Sequence, residues 1–370
     1  MPTGGDHIKL NYILAPLSLL YGLGVRLRNV LFTWKILPVE EYPIPVISIG
    51  NLSVGGTGKT PHTEYLIRLL KDSYRVAVLS RGYKRTTSGY VLANALSNSR
   101  TIGDEPYQMK RKFPDILIAV DSNRRRGISQ LLELPEEKRP QVILLDDAFQ
   151  HRYVIPSLSI VLTDYKRLFY KDMLLPAGRL REPKRGICRA DIVIVTKCED
   201  QLKPIDLRII EDEIRIQAHQ LLYFTHIAYG TIEPAYPAIA APDIRSGINE
   251  GDGIVLLAGI AAPEPFVEEV ERYSANVTVL QFPDHHTFDR DDFRAVTEAF
   301  KRLKAPDRLI LTTEKDAARL QGNPSVPEEL KEHIYYMPIT IRFNAGSGTS
   351  FDDFIKTHIM TFQQKFIYNT

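Results

Sequence analysis

The stretch ISIGNLSVGGTGKT, residues 47–60, limits what this chain can fold into more than any other. An apolar run typical of a buried strand leads into a glycine-rich turn that ends in Gly-Lys-Thr. Such a turn gathers backbone N–H groups into an anion nest, and the helix that follows directs its positive end at the same point. Ser53, Gly55, Gly56, Thr57 and Gly58 build the turn, Lys59 adds a mobile cation, and Thr60 offers a hydroxyl to Mg²⁺. The expectation is an ATP-type triphosphate site on an α/β fold with a P-loop, a parallel sheet covered by helices. The usual spacing asks for a glycine where Ser53 stands, so a plain strand-to-helix connection is the competing reading. Pro61 at the first helical turn and the amphipathic run over residues 64–70 favour the nest.

Further buried strands follow at residues 74–81, 116–120, 160–164 and 192–196, all short apolar runs of the kind that fill parallel sheets. Residues 140–147, PQVILLDD, deliver Asp146 and Asp147 at a strand end, which is how P-loop enzymes position Mg²⁺ beside phosphates. An ordinary loop start is the alternative. Gly103-Asp104-Glu105-Pro106 puts two carboxylates at a strand-to-helix junction, where a helix cap is the structural alternative. Residues 174–183, LLPAGRLREP, read as a stiff exposed loop that carries Arg179 and Arg181. Arginine forks prefer phosphate and carboxylate, although a solvated charge run would look the same.

At 370 residues the chain is longer than a usual single domain, so two domains are expected. A net charge of +2 argues against a nucleic-acid partner, yet residues 166–189 hold eight Lys or Arg against two acids. Cys188 and Cys198 make neither a disulfide framework nor a metal cluster, in keeping with a reducing compartment.

Residues 8–37 read as an apolar helix interrupted by Asn11, Arg26 and Arg28. Its charge-free run, residues 12–25, is shorter than the roughly 20 residues that cross a bilayer. Tyr12, Tyr21 and Trp34, with Lys9, Arg26, Arg28 and Lys35, suit docking on a membrane surface. A buried helix and a signal peptide are the alternatives, the latter without a small-residue cleavage site.

From Leu222 prolines and glycines accumulate, a boundary signal. Strands at 254–258, 277–282 and 308–313, with helices at 263–273 and 291–303, predict a second parallel sheet. Asp284, His285 and His286 lie just past a strand end, and 312–316, TTEKD, just past another. Adjacent histidines at a strand end are more often solvent-facing or hydrogen-bonded than catalytic.

In order along nearly the whole chain stand GNLSVGGTGKTP, SRGYKR, GDEP, DDAFQH, LLPAGRLREP, FPDHH and TTEKD. Together they resemble the tetraacyldisaccharide 4′-kinases, the lipid A 4′-kinases of Gram-negative bacteria. The resemblance implies a two-domain P-loop enzyme on the cytoplasmic face of the inner membrane. It would move the γ-phosphate of ATP, with Mg²⁺, to the 4′-hydroxyl of an acylated disaccharide 1-phosphate lipid. It implies Asp104 as catalytic residue partnered by His285, with Lys59 in the phosphate loop, Thr60 with Asp146 or Asp147 on the metal, and Glu105, Arg181 and Arg124 toward substrate or phosphate. Arg125 and Arg126 compete with Arg124 for that register. Ala148 and Lys84 stand where the family usually has glycine, which leaves the local backbone open.

The implied organisation is a membrane-associating helix (1–37), a kinase domain (38–228), a linker (229–250), a smaller α/β domain (251–343) and a C-terminal segment (344–370). If Asp104 and His285 act together, the Pro/Gly-rich stretch would include a hinge. A monomer is expected. A soluble P-loop kinase of a small sugar or nucleotide, and a nucleotide-binding regulatory module without transfer, are the competing functions.

Overall fold

The computed structural model describes residues 10–239, 247–284, 286–344 and 350–367. The chain forms two compact units, one of residues 1–227 with 341–370 and one of residues 228–340.

The first unit opens with helix α1 (Ala15–Thr33), entered through a short turn at Tyr12–Leu14. Strand β1 (Val46–Asn51), helix α2 (Lys59–Leu70), strands β2 (Val76–Ser80) and β3 (Val91–Leu92) follow. Next come helices α3 (Ser99–Ile102) and α4 (Asp104–Lys112), strand β4 (Leu117–Val120), helix α5 (Arg124–Leu132) and strand β5 (Val142–Asp146). Strands β6 (Leu158–Asp164) and β7 (Ile192–Thr196), helix α6 (Pro204–Ile214) and strand β8 (Leu221–Tyr229) complete this run. The second unit holds β9 (Glu233–Pro234), β10 (Gly253–Ala258), α7 (Glu264–Glu271), β11 (Val277–Gln281), α8 (Arg290–Arg302) and β12 (Arg308–Thr313). Its remaining elements are α9 (Glu314–Leu320), α10 (Glu328–Lys331) and β13 (Ile334–Met337). Strand β14 (Ile339–Phe343) and helix α11 (Phe351–Ile367) end the chain.

The first sheet runs β14-β8-β7-β6-β1-β5-β2-β4-β3. Neighbours from β8 to β4 are parallel, while β3 is antiparallel to β4. Every residue of β1, β2, β5 and β7 is buried, which explains why they read as unbroken apolar runs. From β1 the chain moves outward to β2 and β4, returns to β5, then crosses to β6 on the other side. The strand order therefore reverses around β1 and β5, and ligand sites of such sheets lie at the C-terminal ends there.

The change of texture at Leu222 does not end this sheet. Residues 221–224 are built into β8 beside β7, because a parallel partner compensates for weak periodicity. The C-terminal segment also rejoins the first unit: Phe351, Ile355 and Ile359 of α11 are buried in its core with Ile47, Leu66 and Tyr223.

The second sheet runs β11-β10-β12-β13-β9, parallel except for β9. Within the stretch expected as linker, Glu233 and Pro234 pair with Tyr336 and Tyr335.

Helix α1 touches the core through a narrow strip. Ser18 Oγ donates to Leu174 O at 3.0 Å and accepts from Ala177 N at 2.9 Å, and Gly22 sits against the Leu174 side chain. Its outer side leaves Leu19 76% and Leu23 65% exposed. No described helix is long and apolar enough to cross a membrane.

Candidate active site

Between β1 and α2 the chain makes the glycine-rich loop. Ser53 forms an antiparallel bridge with Leu180, flanked by Arg181 N to Leu52 O at 2.7 Å and Val54 N to Arg179 O at 2.8 Å. Residue 53 is thus extended backbone zipped to the LREP segment, where serine needs none of glycine's freedom. Gly55 and Gly58 take φ of +118° and +83°, conformations that side chains resist.

Polar partners outside the loop hold its shape. Asn51 Nδ2 donates to Thr57 Oγ1 at 2.8 Å, and Thr196 Oγ1 donates to Thr57 O at 3.0 Å. His62 Nδ1 lies 2.7 Å from Gly58 O, so that nitrogen donates, and Nε2, 3.1 Å from Thr225 Oγ1, accepts. Burial pushes His62 down to about 4, which keeps this neutral tautomer at physiological pH. Sequence reasoning missed His62; its signal was a histidine four residues past Gly58, one helical turn away.

Asp146 ends β5 level with Ile49 of β1 and is fully buried. Its Oδ2 accepts from Ser80 Oγ at 3.1 Å, whereas Oδ1 is buried with no protein partner. Burial, then the charges of Glu105 and Asp147, push its carboxyl above the ordinary range. Asp147 takes a left-handed φ of +47°, an uncommon conformation that carries strain. It stands 3.6 Å from Lys59 Nζ and accepts from Arg181 Nη1 at 2.9 and 3.0 Å. Burial alone would raise Asp147, but Lys59 and Arg181 outweigh it and hold the carboxyl below its usual range.

The three consecutive arginines part company. Arg124 is buried, with Nη1 donating to Asp121 O at 2.7 Å and Nη2 to Asp146 O at 3.0 Å. Burial lowers it to about 10 against the pull of Asp146 and Asp147, so it stays cationic at neutral pH. Arg125 pairs with Glu40 and Arg126 with Asp121.

Arg181 is set by its own segment, in which Glu182 binds Arg189 at 2.8 Å and accepts from Gln150 Nε2 at 3.2 Å. Half of the basic run 166–189 is neutralised in place, since Arg167, Lys171, Arg181 and Arg189 each pair with a carboxylate.

The GDEP turn packs on the SRGYKR loop beyond β2. Gly103 has φ +94°, and a Cβ there would lie 3.1 Å from Tyr83 O, so glycine is required on both counts. Gly103 is the cap position and Asp104 the first helical residue, so the aspartate is not the helix cap. Helix α4 is fastened to α2 by buried Glu64, which meets Lys112 Nζ at 2.7 Å and Gln108 Nε2 at 2.9 Å. The charge of Glu105 in this turn is felt at the β5 carboxylate, where it helps to raise Asp146. Lys84 adopts a left-handed φ of +60°, while Ala148 is buried and has no positive φ. Lysine therefore bears a conformation that glycine would take without strain, and alanine costs nothing at 148.

His285 lies outside the described residues. Its neighbours are engaged: His286 Nε2 is 2.7 Å from Asp292 Oδ2, and Asp284 is 3.1 Å from Lys315 Nζ.

A cation at the helix start, set against one ionised aspartate and one buried carboxylate oxygen still lacking a partner, is the charge pattern that a polyphosphate and its counter-ion require. The fold and this site define a P-loop phosphotransferase. Residues 10–359 match the family model described as tetraacyldisaccharide-1-P 4′-kinase. A tetraacyldisaccharide 4′-kinase of Parabacteroides distasonis is 58% identical over 96% of this chain and 97% of its own length. One from Bacteroides thetaiotaomicron is 52% identical, over 94% and 93%. Among solved structures, the "apo" form of LpxK from Aquifex aeolicus in complex with ATP superposes with a TM-score of 0.70 at 28% identity, covering 95% of this chain and 98% of that one. The chain belongs to the tetraacyldisaccharide 4′-kinase family.

Proposed function

We propose that this protein transfers the γ-phosphate of ATP to the 4′-hydroxyl of a tetraacyldisaccharide 1-phosphate, giving lipid IVA. The observation that carries the reading is the meeting of Lys59, Asp146 and Asp147 at the reversal point of the sheet, in a chain that matches its family nearly end to end.

Loop amides and Lys59 would bind the β- and γ-phosphates. The donor set fits Mg²⁺: Asp146 Oδ1 is a buried acceptor with no protein partner, Asp147 is its neighbour, and Thr60 supplies a hydroxyl on the first turn of α2. When bound, the ion would neutralise charge developing on the phosphate oxygens. Arg124 and Arg181 add positive charge around the same carboxylates. Asp104 is assigned as general base. It takes the proton of the sugar hydroxyl while that oxygen bonds to the γ-phosphorus, the bond to the bridging oxygen breaks, and ADP leaves. Glu105 would position the acceptor side, and a catalytic role for His285 is tested by H285Q, which should lower kcat.

The exposed apolar side of α1 supports docking on a membrane surface, where an acylated acceptor resides. We assign the enzyme to the cytoplasmic face of the inner membrane, because ATP is its donor. A transfer assay with radiolabelled Mg-ATP and the 1-phosphorylated acyl disaccharide tests the function. Label should appear in the lipid product, and its absence with protein that binds ATP would sink the reading.

A further inference from the structure

The TTEKD motif has no part in the chemistry described so far, and FPDHH enters it only through residue 285. Both belong to the second unit, past the C-terminal ends of β12 and β11, with β10 between them. Parallel strands bring those ends to one edge, where α/β sheets gather their functional loops.

The TTEKD turn is anchored through its last residue. Asp316 is fully buried, and its Oδ2 accepts from Thr313 Oγ1 at 2.8 Å and from Gly259 N, just past β10, at 2.9 Å. Arg319 Nη1 donates to Asp316 Oδ1 at 2.8 Å and to Gly259 O at 3.1 Å. A Cβ at Gly259 would lie 3.0 Å from Asp316 Oδ1, so the two segments meet as closely as glycine allows. Lys315 is thereby held on the first turn of α9, and its Nζ reaches Asp284 Oδ1 at 3.1 Å, two strands away. The far side of FPDHH is tied elsewhere. His286 stacks on Phe282 with ring centroids 4.9 Å apart, and its Nε2 is 2.7 Å from Asp292 Oδ2, in the capping box of α8. Residues 284 and 286 are thus fastened to two separate elements, on either side of the residue assigned to the reaction. With side chains 25% and 35% exposed, the Lys315–Asp284 pair contributes little to stability. Its effect is on placement, and a shift of about 1 Å in a reacting group costs much of its rate.

We propose that Lys315, through Asp284, is a positioning residue for His285 in phosphoryl transfer. The proposal deepens the reading above and rests on residue 285 taking part in the transfer. The transfer assay on the full chain tests it with single and double variants. Lys315→Ala should lower kcat about tenfold and leave KM for ATP within about twofold of the parent, with an unchanged denaturant midpoint. Lys315→Arg, which keeps the ion pair, should restore most of the rate. In a His285→Gln background, Lys315→Ala should cost nothing further, because it acts only through residue 285. A parent-like kcat for Lys315→Ala, a loss matched by a lower folded fraction, an arginine variant as slow as alanine, or full additivity with His285→Gln would overturn the assignment. A parent-like kcat for His285→Gln would instead remove residue 285 from the reaction, and the proposal with it.

Discussion

Asp146 and Asp147 are chemically identical neighbours whose surroundings separate them. One is buried at the end of β5 with a protonation-favouring environment, and the other is turned by its positive φ against Lys59 and Arg181. Asp104 comes from a different element, the first turn of α4, and is the base proposed for the acceptor hydroxyl. Asp104→Ala should lower turnover about a hundredfold or more while ATP affinity by calorimetry stays near that of the parent. Unchanged turnover would remove it from the role. His151 offers a pH test. Burial first, then Arg124, Arg28 and Arg125, hold it down to about 4, and its Nε2 has no partner. In the unfolded chain it titrates near the ordinary 6.5. The unfolded state therefore binds the extra proton between these values, so the contribution is present above pH 6.5 and is lost as pH falls toward 4. Denaturant midpoints of His151→Gln should fall less steeply from pH 7 to 4.5 than those of the parent; parallel slopes would refute this.

At the scale of elements, α1 is held along one side. Ser18 and Gly22, four residues apart, face the LLPAGRLREP loop, Tyr21 donates to Arg181 O at 2.7 Å, and Arg28 donates to Gln150 O at 3.0 Å. Leu19, Leu20, Leu23 and Leu27 remain on the outside, a row that water solvates poorly. Leu23→Glu combined with Leu27→Glu should abolish co-flotation with anionic phospholipid vesicles and lower turnover on the acylated acceptor, with ATP binding unaffected. A doubly charged variant that still floats would rule out this face as the docking surface. The same helix contacts the segment that carries Arg181, so the proposed docking face and the proposed phosphate site share one loop.

For the whole molecule, the chain leaves its first unit after β8 and returns through β14 and α11. The last helix seals the first core: Ile355 and Ile359 are fully buried beneath a sheet laid down more than a hundred residues earlier. Ile355→Ala should cost about 2–5 kcal/mol, the range for truncating a buried aliphatic side chain. It should do so in whichever unfolding transition Mg-ATP shifts upward, since ligand stabilises only the unit that binds it. Loss confined to the nucleotide-insensitive transition would contradict the assignment of α11 to the nucleotide-binding core.

By itself the sequence determined the elements whose cause is local. The apolar run before residue 51, the glycines at 55 and 58 and the helix from Lys59 are consequences of periodicity and backbone freedom, and the carboxylates after β5 follow from where an apolar strand stops. Tertiary structure decided everything that depends on a distant partner. Ser53 is acceptable because Leu180 pairs with it, and Arg124 is the inward arginine because Glu40 and Asp121 take the other two. Weakly periodic residues after 221 become strand because β7 lies alongside. Hydrophobic spacing records which face of an element is buried, and it carries no information about which remote segment will do the burying.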